Sequence, residues 1–228
     1  ESGCGKSTLG RVILKLHEPT TGKVYYRGED ITQLSEKEML PYRRRMQLIF
    51  QDPYASLNPR MTIYETVVAP LEVFGIASPQ NRRKLVATML ERSGLTTEYL
   101  RKYPHEMSGG QRQRVVIARA MITEPDFVIC DEPVSALDVS VRAQILNLMK
   151  RMQSAKNTTY LFISHDLSVV HYLCDRIYVM YLGHIVEEAP KSALFSQPAH
   201  PYTQALLSAI PLPDVSKRRK RILLSGAL

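Results

Sequence analysis

Short apolar runs, each as long as a strand and each cut off by polar residues, recur along this chain. Met46-Gln47-Leu48-Ile49-Phe50 stops at Gln51-Asp52-Pro53, and Phe127-Val128-Ile129-Cys130 stops at Asp131-Glu132-Pro133. Tyr160-Leu161-Phe162-Ile163 stops at Ser164-His165-Asp166, and Ile177-Tyr178-Val179-Met180 predicts one more strand. Runs that do not alternate with polar residues suit strands buried on both faces. Helical patterns lie between them: Ser140 is placed to cap a helix with a stripe of Val141, Ile145, Leu148 and Met152, and Leu167–Leu173 predicts a short one. This alternation predicts an α/β fold, a mostly parallel sheet covered by helices. The polar residues at the strand ends then mark the carboxyl edge of the sheet, where such folds bind their ligands.

The first half reads differently. A helix is predicted from about Lys6, then a turn at Glu18-Pro19-Thr20-Thr21-Gly22 and a strand over Lys23–Arg27 ending at Gly28. Ser35 and Glu38 have capping-box spacing and open a short charged helix. Pro53 and Asn58-Pro59 make the stretch after Gln51 a loop. From Ile63 to about Tyr103 the pattern is helical, with Leu85, Met89 and Leu90 on one face and Gly94 closing that helix. A helical insert of about 60–106 between strand-rich flanks predicts a subdomain. Ser108 and Gln111 form a second capping-box pair, opening a helix that runs through Val115, Val116, Ala118 and Ile122.

Composition narrows the class. At 228 residues, 44% hydrophobic and 23% charged, the chain is an ordinary globular sequence large enough to bury a core. No apolar run reaches the length of a membrane span. Three cysteines (Cys4, Cys130 and Cys174) without metal-ligand spacing argue against a disulfide framework and for a reducing compartment. A net charge of +8 admits nucleic acid, an anionic membrane surface or a nucleotide as partner. Its densest run, Lys217-Arg218-Arg219-Lys220-Arg221, reads first as a solvated tail and second as a lipid or partner contact.

The chemistry begins at the front of the chain. Glu1-Ser2-Gly3-Cys4-Gly5-Lys6-Ser7-Thr8 fits the phosphate-binding pattern G-x-x-x-x-G-K-[ST], whose first glycine would precede Glu1. Small residues let the backbone of Gly3 to Thr8 wrap a phosphate, and the positive end of the following helix adds to the same site. Lys6 would neutralise the β- and γ-phosphates, and the Ser7 hydroxyl would ligate Mg²⁺. The bland alternative is a glycine-rich turn before a helix. Cys4 reads as a small side chain filling that turn, although Lys6 and the helix start also favour a reactive thiol, so alkylation is expected to inactivate the protein and ATP to protect it.

Further groups point to the same chemistry. Asp131, after an apolar strand, can hold Mg²⁺, and Glu132 one residue on can act as general base for an attacking water. His165, at the end of a neighbouring strand, can contact a γ-phosphate. Gly109 and Gly110 follow the Ser108 cap although each costs about 1 kcal/mol against alanine inside a helix. Paired glycines let an anion approach the exposed N–H groups. Singly, each group has an ordinary reading as a turn, a loop histidine or a helix start. Their order and their strand-end placement are what argue for a site.

With these residues in hand, the chain resembles the ATP-binding subunits of ABC transporters, and more narrowly those of the oligopeptide/dipeptide (peptide/nickel) permease group. Gly3 to Thr8 are similar to the Walker A loop, Gln51 to the Q-loop glutamine, and Ser108-Gly109-Gly110-Gln111 to the signature motif. Phe127 to Asp131 with Glu132 resemble Walker B, Ser135-Ala136-Leu137-Asp138 the D-loop, and His165 the switch histidine. The narrower likeness rests on Phe50 to Pro59 and on His200-Pro201-Tyr202-Thr203. Met107, where many signatures have Leu, is a near-isosteric departure.

The resemblance implies a P-loop NTPase of the ABC type, with a nucleotide-binding domain over 1–187 and a C-terminal extension over 188–228. It implies ATP and Mg²⁺ as cofactors, with Ser7, Gln51 and Asp131 at the metal and Glu132, His165 and Gln51 at the reacting phosphate. ATP would be held by Gly3, Cys4, Gly5, Lys6, Ser7 and Thr8 of one subunit. Ser108, Gly109, Gly110, Gln111 and Asp138 of a head-to-tail second ABC ATPase subunit would cover it. The implied partners are that subunit, transmembrane permease subunits at the cytoplasmic face of the membrane and, indirectly, an extracytoplasmic solute-binding protein; no nucleic acid is expected. The family's N-terminal strands and adenine-stacking aromatic would lie upstream of Glu1, and truncation at both ends is expected. The expected function is ATP hydrolysis that powers import of oligopeptides or dipeptides, with a nickel or other small-solute importer as the alternative. A DNA-associated ABC ATPase is the rival from another class, but the stretch from Gln51 to Ser108 is too short for a coiled-coil arm and has no Cys.

Overall fold

A core of three parallel strands follows directly from the apolar runs. In the computed structural model, which describes residues 3–209, β3 (Met46–Ile49), β4 (Phe127–Asp131) and β5 (Thr159–Ile163) form one sheet in the order β3-β4-β5. The register pairs Met46 with Phe127 and Asp131 with Ile163. Val128, Ile129 and Cys130 on the central strand are fully buried, the burial on both faces that their unbroken apolar pattern predicts. The basic run Lys217–Arg221 lies outside the described residues, as do Glu1 and Ser2.

The chain divides into two compact units, Thr8–Ile163 and Glu1–Ser7 with Ser164–Leu228. The first holds the parallel sheet and most of the helices. α1 (Lys6–Ile13) begins as expected. Its Gly10 permits a close helix–sheet approach, since a Cβ there would stand 3.2 Å from Ile129 Cγ2 and 3.3 Å from Ile163 Cδ1. The expected strand over Lys23–Arg27 shrinks to β1 (Tyr25–Tyr26), paired antiparallel with β2 (Glu29–Asp30). Both residues of the connecting turn, Arg27 at φ 51° and Gly28 at φ 88°, are left-handed, as a tight two-residue hairpin requires. Tyr26 Oη donates to Asp126 Oδ2 at 2.8 Å, which ties this hairpin to the entry of β4. α2 (Glu36–Arg45) carries the expected capping box, with Ser35 N donating to Glu38 Oε2 at 2.8 Å.

The expected helical insert is present as four pieces: α3 (Ile63–Val73), α4 (Pro79–Arg92) and two short 3-10 helices over Thr97–Arg101 and Pro104–Glu106. Left-handed Gly75 and Ala77 break the first pair and Gly94, at φ 75°, ends α4. Leu85 departs from expectation: it is 41% exposed, whereas Val86 is fully buried with Met89 and Leu90. Stripes through 85 and 89 or through 86 and 90 satisfy the same period, and packing selects the second. α5 (Gly109–Met121) follows the Ser108 cap, and α6 (Val139–Lys156), between β4 and β5 in the chain, packs against α5. Here too one expectation fails. Asp138, not Ser140, occupies the cap position of α6, without a side-chain capping bond. The helix therefore starts two residues earlier than the serine suggests, and Val141 is only half-buried.

In the other unit, α7 (Leu167–Leu173) is capped by Asp166, whose Oδ1 accepts from Ser168 N at 2.9 Å. The strand expected at Ile177–Met180 is β6 (Arg176–Tyr181), but it pairs antiparallel with β7 (His184–Pro190), not within a parallel sheet. A left-handed Leu182-Gly183 turn makes this hairpin, a signal the apolar run alone does not carry. α8 (Lys191–Ser196) and α9 (Pro201–Ser208) complete the unit. The His200-Pro201-Tyr202-Thr203 wording has a structural meaning here. His200 Nδ1 caps α9 by accepting from Tyr202 N at 3.1 Å, Pro201 takes the first helical position, and the Tyr202 ring packs 4.2 Å from Tyr181. Burial pushes the Glu187 carboxyl up, but neighbouring donors, among them Ala199 N at 2.8 Å and His200 N at 3.0 Å, outweigh it and hold it below the usual range.

Candidate active site

The loop Gly3–Ser7 takes the shape its glycines allow. Gly3 and Gly5 are left-handed at φ 89° and 94°, a conformation that L side chains rarely adopt. Between them the Cys4 side chain turns inward and is 8% exposed, and Lys6 Nζ donates to Cys4 Sγ at 3.1 Å. Space around Gly3 is open, whereas a Cβ on Gly5 would touch Met180 Cε at 3.4 Å. Lys6 and Ser7 open α1, so the first-turn amides of an eight-residue helix lie at this loop. His165 belongs to the same unit, exposed in the turn between Ile163 and α7.

The unit Thr8–Ile163 brings Gln51, Asp131 and Glu132 together at the carboxyl ends of β3 and β4. Asp131 ends β4 and is 6% exposed. Glu132 follows at φ 46°, a strained backbone for a residue with a side chain. Three bonds hold that turn: Glu132 N donates to Ile163 O at 3.0 Å, and Glu132 O accepts from Ser135 N at 3.2 Å and Ser135 Oγ at 3.0 Å. Gln51, two residues past β3, donates from Nε2 to Glu132 Oε2 at 3.1 Å. A carboxylate held by its backbone and touched by one amide can take a proton from water. The carboxylate of Asp131 and the amide oxygen of Gln51 are hard donors of the kind that suits Mg²⁺, and in the other unit the Ser7 hydroxyl is of the same kind. Among the described residues no three His, Cys, Asp or Glu side chains cluster to hold a metal, and Mg²⁺ sites commonly need only one or two carboxylates plus phosphate oxygens.

The Ser108 motif stands at the start of α5. Ser108 N donates to Gln111 Oε1 at 2.9 Å and Gln111 N to Ser108 Oγ at 3.3 Å, the reciprocal bonds expected of a capping box. Gln111 Nε2 donates to Tyr99 Oη at 2.7 Å, which fixes the cap to the helical insert. The two glycines have different reasons. A Cβ on Gly109 would meet only Leu137 Cδ2 at 3.9 Å, ordinary contact that leaves the helix end open. A Cβ on Gly110 would fall 2.5 Å from Val141 Cγ1 of α6, so this glycine lets two helices pack. Of the two glycines expected to let an anion approach, Gly109 leaves space at the helix start, while Gly110 answers to packing. Asp138 is exposed at the start of α6.

In the sequence Gly10 has no task at the site, and Ser135 enters only through the D-loop likeness. A glycine inside a helical pattern signals the first; nothing in the sequence signals that Ser135 would clasp the Glu132 carbonyl.

The thiols differ sharply. Cys130 is fully buried in β4. Burial and the neighbouring Asp175 push the Cys174 thiol up to about 11, against a smaller opposing pull from Lys191. At pH 8 about 0.1% of such a thiol is thiolate. With the Lys6 ammonium at 3.1 Å from Cys4 Sγ, alkylation at pH 8 is expected to reach Cys4 before the other two, to inactivate the protein, and to be slowed by ATP. Peptide mass mapping that finds Cys174 labelled as fast as Cys4 would contradict it.

The family profile described as ABC transporter matches residues 1–135, and the one described as Oligopeptide/dipeptide transporter, C-terminal region matches residues 186–227. The chain is 54% identical to the oligopeptide transport ATP-binding protein OppF of Bacillus subtilis (strain 168), over 97% of this chain and 73% of OppF. It is also 54% identical to YkfD of the same organism, over 100% of this chain and 70% of that protein. Among solved structures, the dimeric ATP-binding cassette MJ0796 bound to ADP and Pi superposes with a TM-score of 0.75 at 32% identity, covering 84% of this chain and 82% of that one. CbiO1 from Clostridium perfringens, part of the ABC transporter complex cbiONQ, gives 0.76 at 29% identity, covering 86% and 77%. By its profile match and by these relatives, the chain belongs to the ABC transporter family, as an ATP-binding subunit.

Proposed function

We propose that this chain hydrolyses ATP to power an importer of oligopeptides or dipeptides, working as half of a head-to-tail pair of cassettes. The single observation that carries the pairing is that one chain holds two separate anion cradles, the Gly3–Ser7 loop and the open, Ser108-capped start of α5. One ATP can use one cradle from each of two subunits, and closing the pair excludes bulk water. The peptide assignment is supported by the likeness to OppF and by the C-terminal-region profile over 186–227. In this reading a nucleotide-binding domain spans 1–187, with its helical subdomain at about 60–106, and an extension spans 188–228, the last supported by the profile over 186–227. No helix among the described residues is long and apolar enough to cross a membrane. In this reading the chain sits at the cytoplasmic face of the membrane on transmembrane permease subunits, with a solute-binding protein acting from the other side.

Each side chain has a task in this reading. Lys6 and the loop amides of Gly3 to Thr8 neutralise the β- and γ-phosphates. Ser7, Asp131 and Gln51 would hold Mg²⁺, which supplies charge neutralisation between the phosphates. Glu132 takes the proton as water oxygen attacks the γ-phosphorus, and the bond to the β–γ bridging oxygen breaks. His165 donates to a γ-phosphate oxygen. Ser108 and Gly109 of the partner, with Gln111 and Gly110 shaping that helix start and Asp138 beside it, cover the phosphates before water attacks.

The test is turnover by the full-length protein as a function of its concentration. Activity per chain is expected to fall steeply on dilution and to return when permease subunits or a second ABC ATPase subunit hold two cassettes together. Undiminished turnover by a strict monomer would overturn the reading.

A further inference from the structure

We propose that Tyr54 and Arg112, backed by Ser56 and Arg119, clamp the loop after Gln51 to the Ser108-capped helix, so that both move as one body. This rests on the paired-cassette reading above. The loop is stiff in itself. Asp52 Oδ1 accepts from Tyr54 N at 2.7 Å, and Asp52 O accepts from Ser56 N at 3.2 Å and from Ser56 Oγ at 2.6 Å, while Leu57 is 3% exposed beneath it. Two arginines of α5 then reach it at different points. The Arg112 guanidinium lies 4.4 Å from the centre of the Tyr54 ring, and its Nε donates to Pro104 O at 2.6 Å. About two turns further along the same face of α5, Arg119 Nη1 donates to Ser56 O at 2.6 Å.

Neither contact is needed to build the core. Tyr54 is 61% exposed, so its ring is not held there by burial. Arg119 is largely desolvated, and desolvation lowers its pKa, yet the group it reaches is a loop carbonyl rather than a carboxylate. An arginine committed to one carbonyl is informative about that loop's position. The opposite end of the loop is Gln51, which here donates to Glu132 Oε2 at 3.1 Å. Nucleotide that draws Gln51 from Glu132 toward its phosphates must displace the Asp52 turn. Through Tyr54 and Ser56 that displacement is passed to α5, whose first residues Gly109 and Gly110 follow the Ser108 cap. Occupancy of one cradle thereby repositions the other, and Tyr54 and Arg112 are positioning residues for the covering helix.

The experiment compares full-length wild type with Tyr54→Phe, Tyr54→Leu, Arg112→Gln and the Tyr54→Leu/Arg112→Gln double variant. Three quantities are read: ATP affinity at protein concentrations below association, ATP-driven association of cassettes, and kcat. Tyr54→Phe keeps the ring face and is expected to match wild type. Tyr54→Leu and Arg112→Gln are each expected to weaken ATP-driven association and kcat roughly tenfold, with monomer ATP affinity within about twofold and melting temperature unchanged. The double variant is expected to be no worse than either single one, as two halves of one contact should be. Additive losses, a Tyr54→Phe defect equal to that of Tyr54→Leu, or unimpaired association in Tyr54→Leu would overturn the clamp. If wild type itself shows no ATP-driven association, the paired-cassette reading falls instead, and the two failures are told apart.

Discussion

Glu132→Gln is expected to lower ATP turnover by roughly 10²–10⁴-fold, the range typical for loss of a general base, while leaving ATP binding in place. The substitution isolates the proton. The replacing amide has the same shape and keeps a carbonyl oxygen, so it still accepts the bond that Gln51 Nε2 makes at 3.1 Å. Nothing in the backbone changes either. The left-handed turn at φ 46° is held by Ile163 O, Ser135 N and Ser135 Oγ acting on the main chain of residue 132. What is lost is the negative oxygen that can take a proton from attacking water. A pair of cassettes closed over ATP would then open slowly, and the full-length variant is expected to accumulate as an ATP-bound dimer. Phosphate release and size-exclusion chromatography measure both effects; unchanged turnover would remove Glu132 from the base role.

Gly110→Ala is expected to destabilise the protein and Gly109→Ala to leave its folding nearly unchanged or slightly improved. Both substitutions gain about 1 kcal/mol of helix propensity. At Gly109 the added methyl meets one leucine carbon at 3.9 Å, so the gain stands. At Gly110 it arrives 2.5 Å from Val141 Cγ1, and either α5 or α6 must shift. Overpacking of this kind costs about 1–3 kcal/mol, which outweighs the propensity gain through most of that range. Denaturant unfolding reads the difference, and Val141→Ala combined with Gly110→Ala is expected to recover most of the loss. Activity should separate the positions the other way. Gly109→Ala narrows the opening at the helix start and is expected to weaken ATP-driven pairing despite intact folding. Equal stability of the two alanine variants would mean that the α5–α6 packing does not restrain position 110.

Much of the fold was legible because its signals are local. Ser35 with Glu38 and Ser108 with Gln111 carry their own capping geometry within four residues, and both boxes form as their spacing implies. Phe127 to Cys130 are apolar without alternation, which is the mark of a strand covered on both faces. Where local signals tie, the reading slipped. Ser140 and Asp138 are both good caps, and two stripes on α4 share one period. The strand at Ile177–Met180 is apolar like its parallel counterparts, but its neighbour is set by the two-residue turn at Leu182-Gly183.

The sequence by itself determined which groups are available: a glycine-rich loop with Lys6 and Ser7, carboxylates after an apolar strand, a capped helix with two glycines, and their order along the chain. These are statements of residue type and spacing, and periodicity and capping act over one or two turns. Only the tertiary structure decided that Gln51 reaches the Glu132 carboxylate across 81 positions of sequence, that Ser135 clasps the strained Glu132 turn, and that Gly110 serves Val141. It alone set Arg112 over Tyr54. The physical reason is that contacts distant in sequence depend on how helices and strands pack against one another, a three-dimensional fit that no short-range pattern encodes.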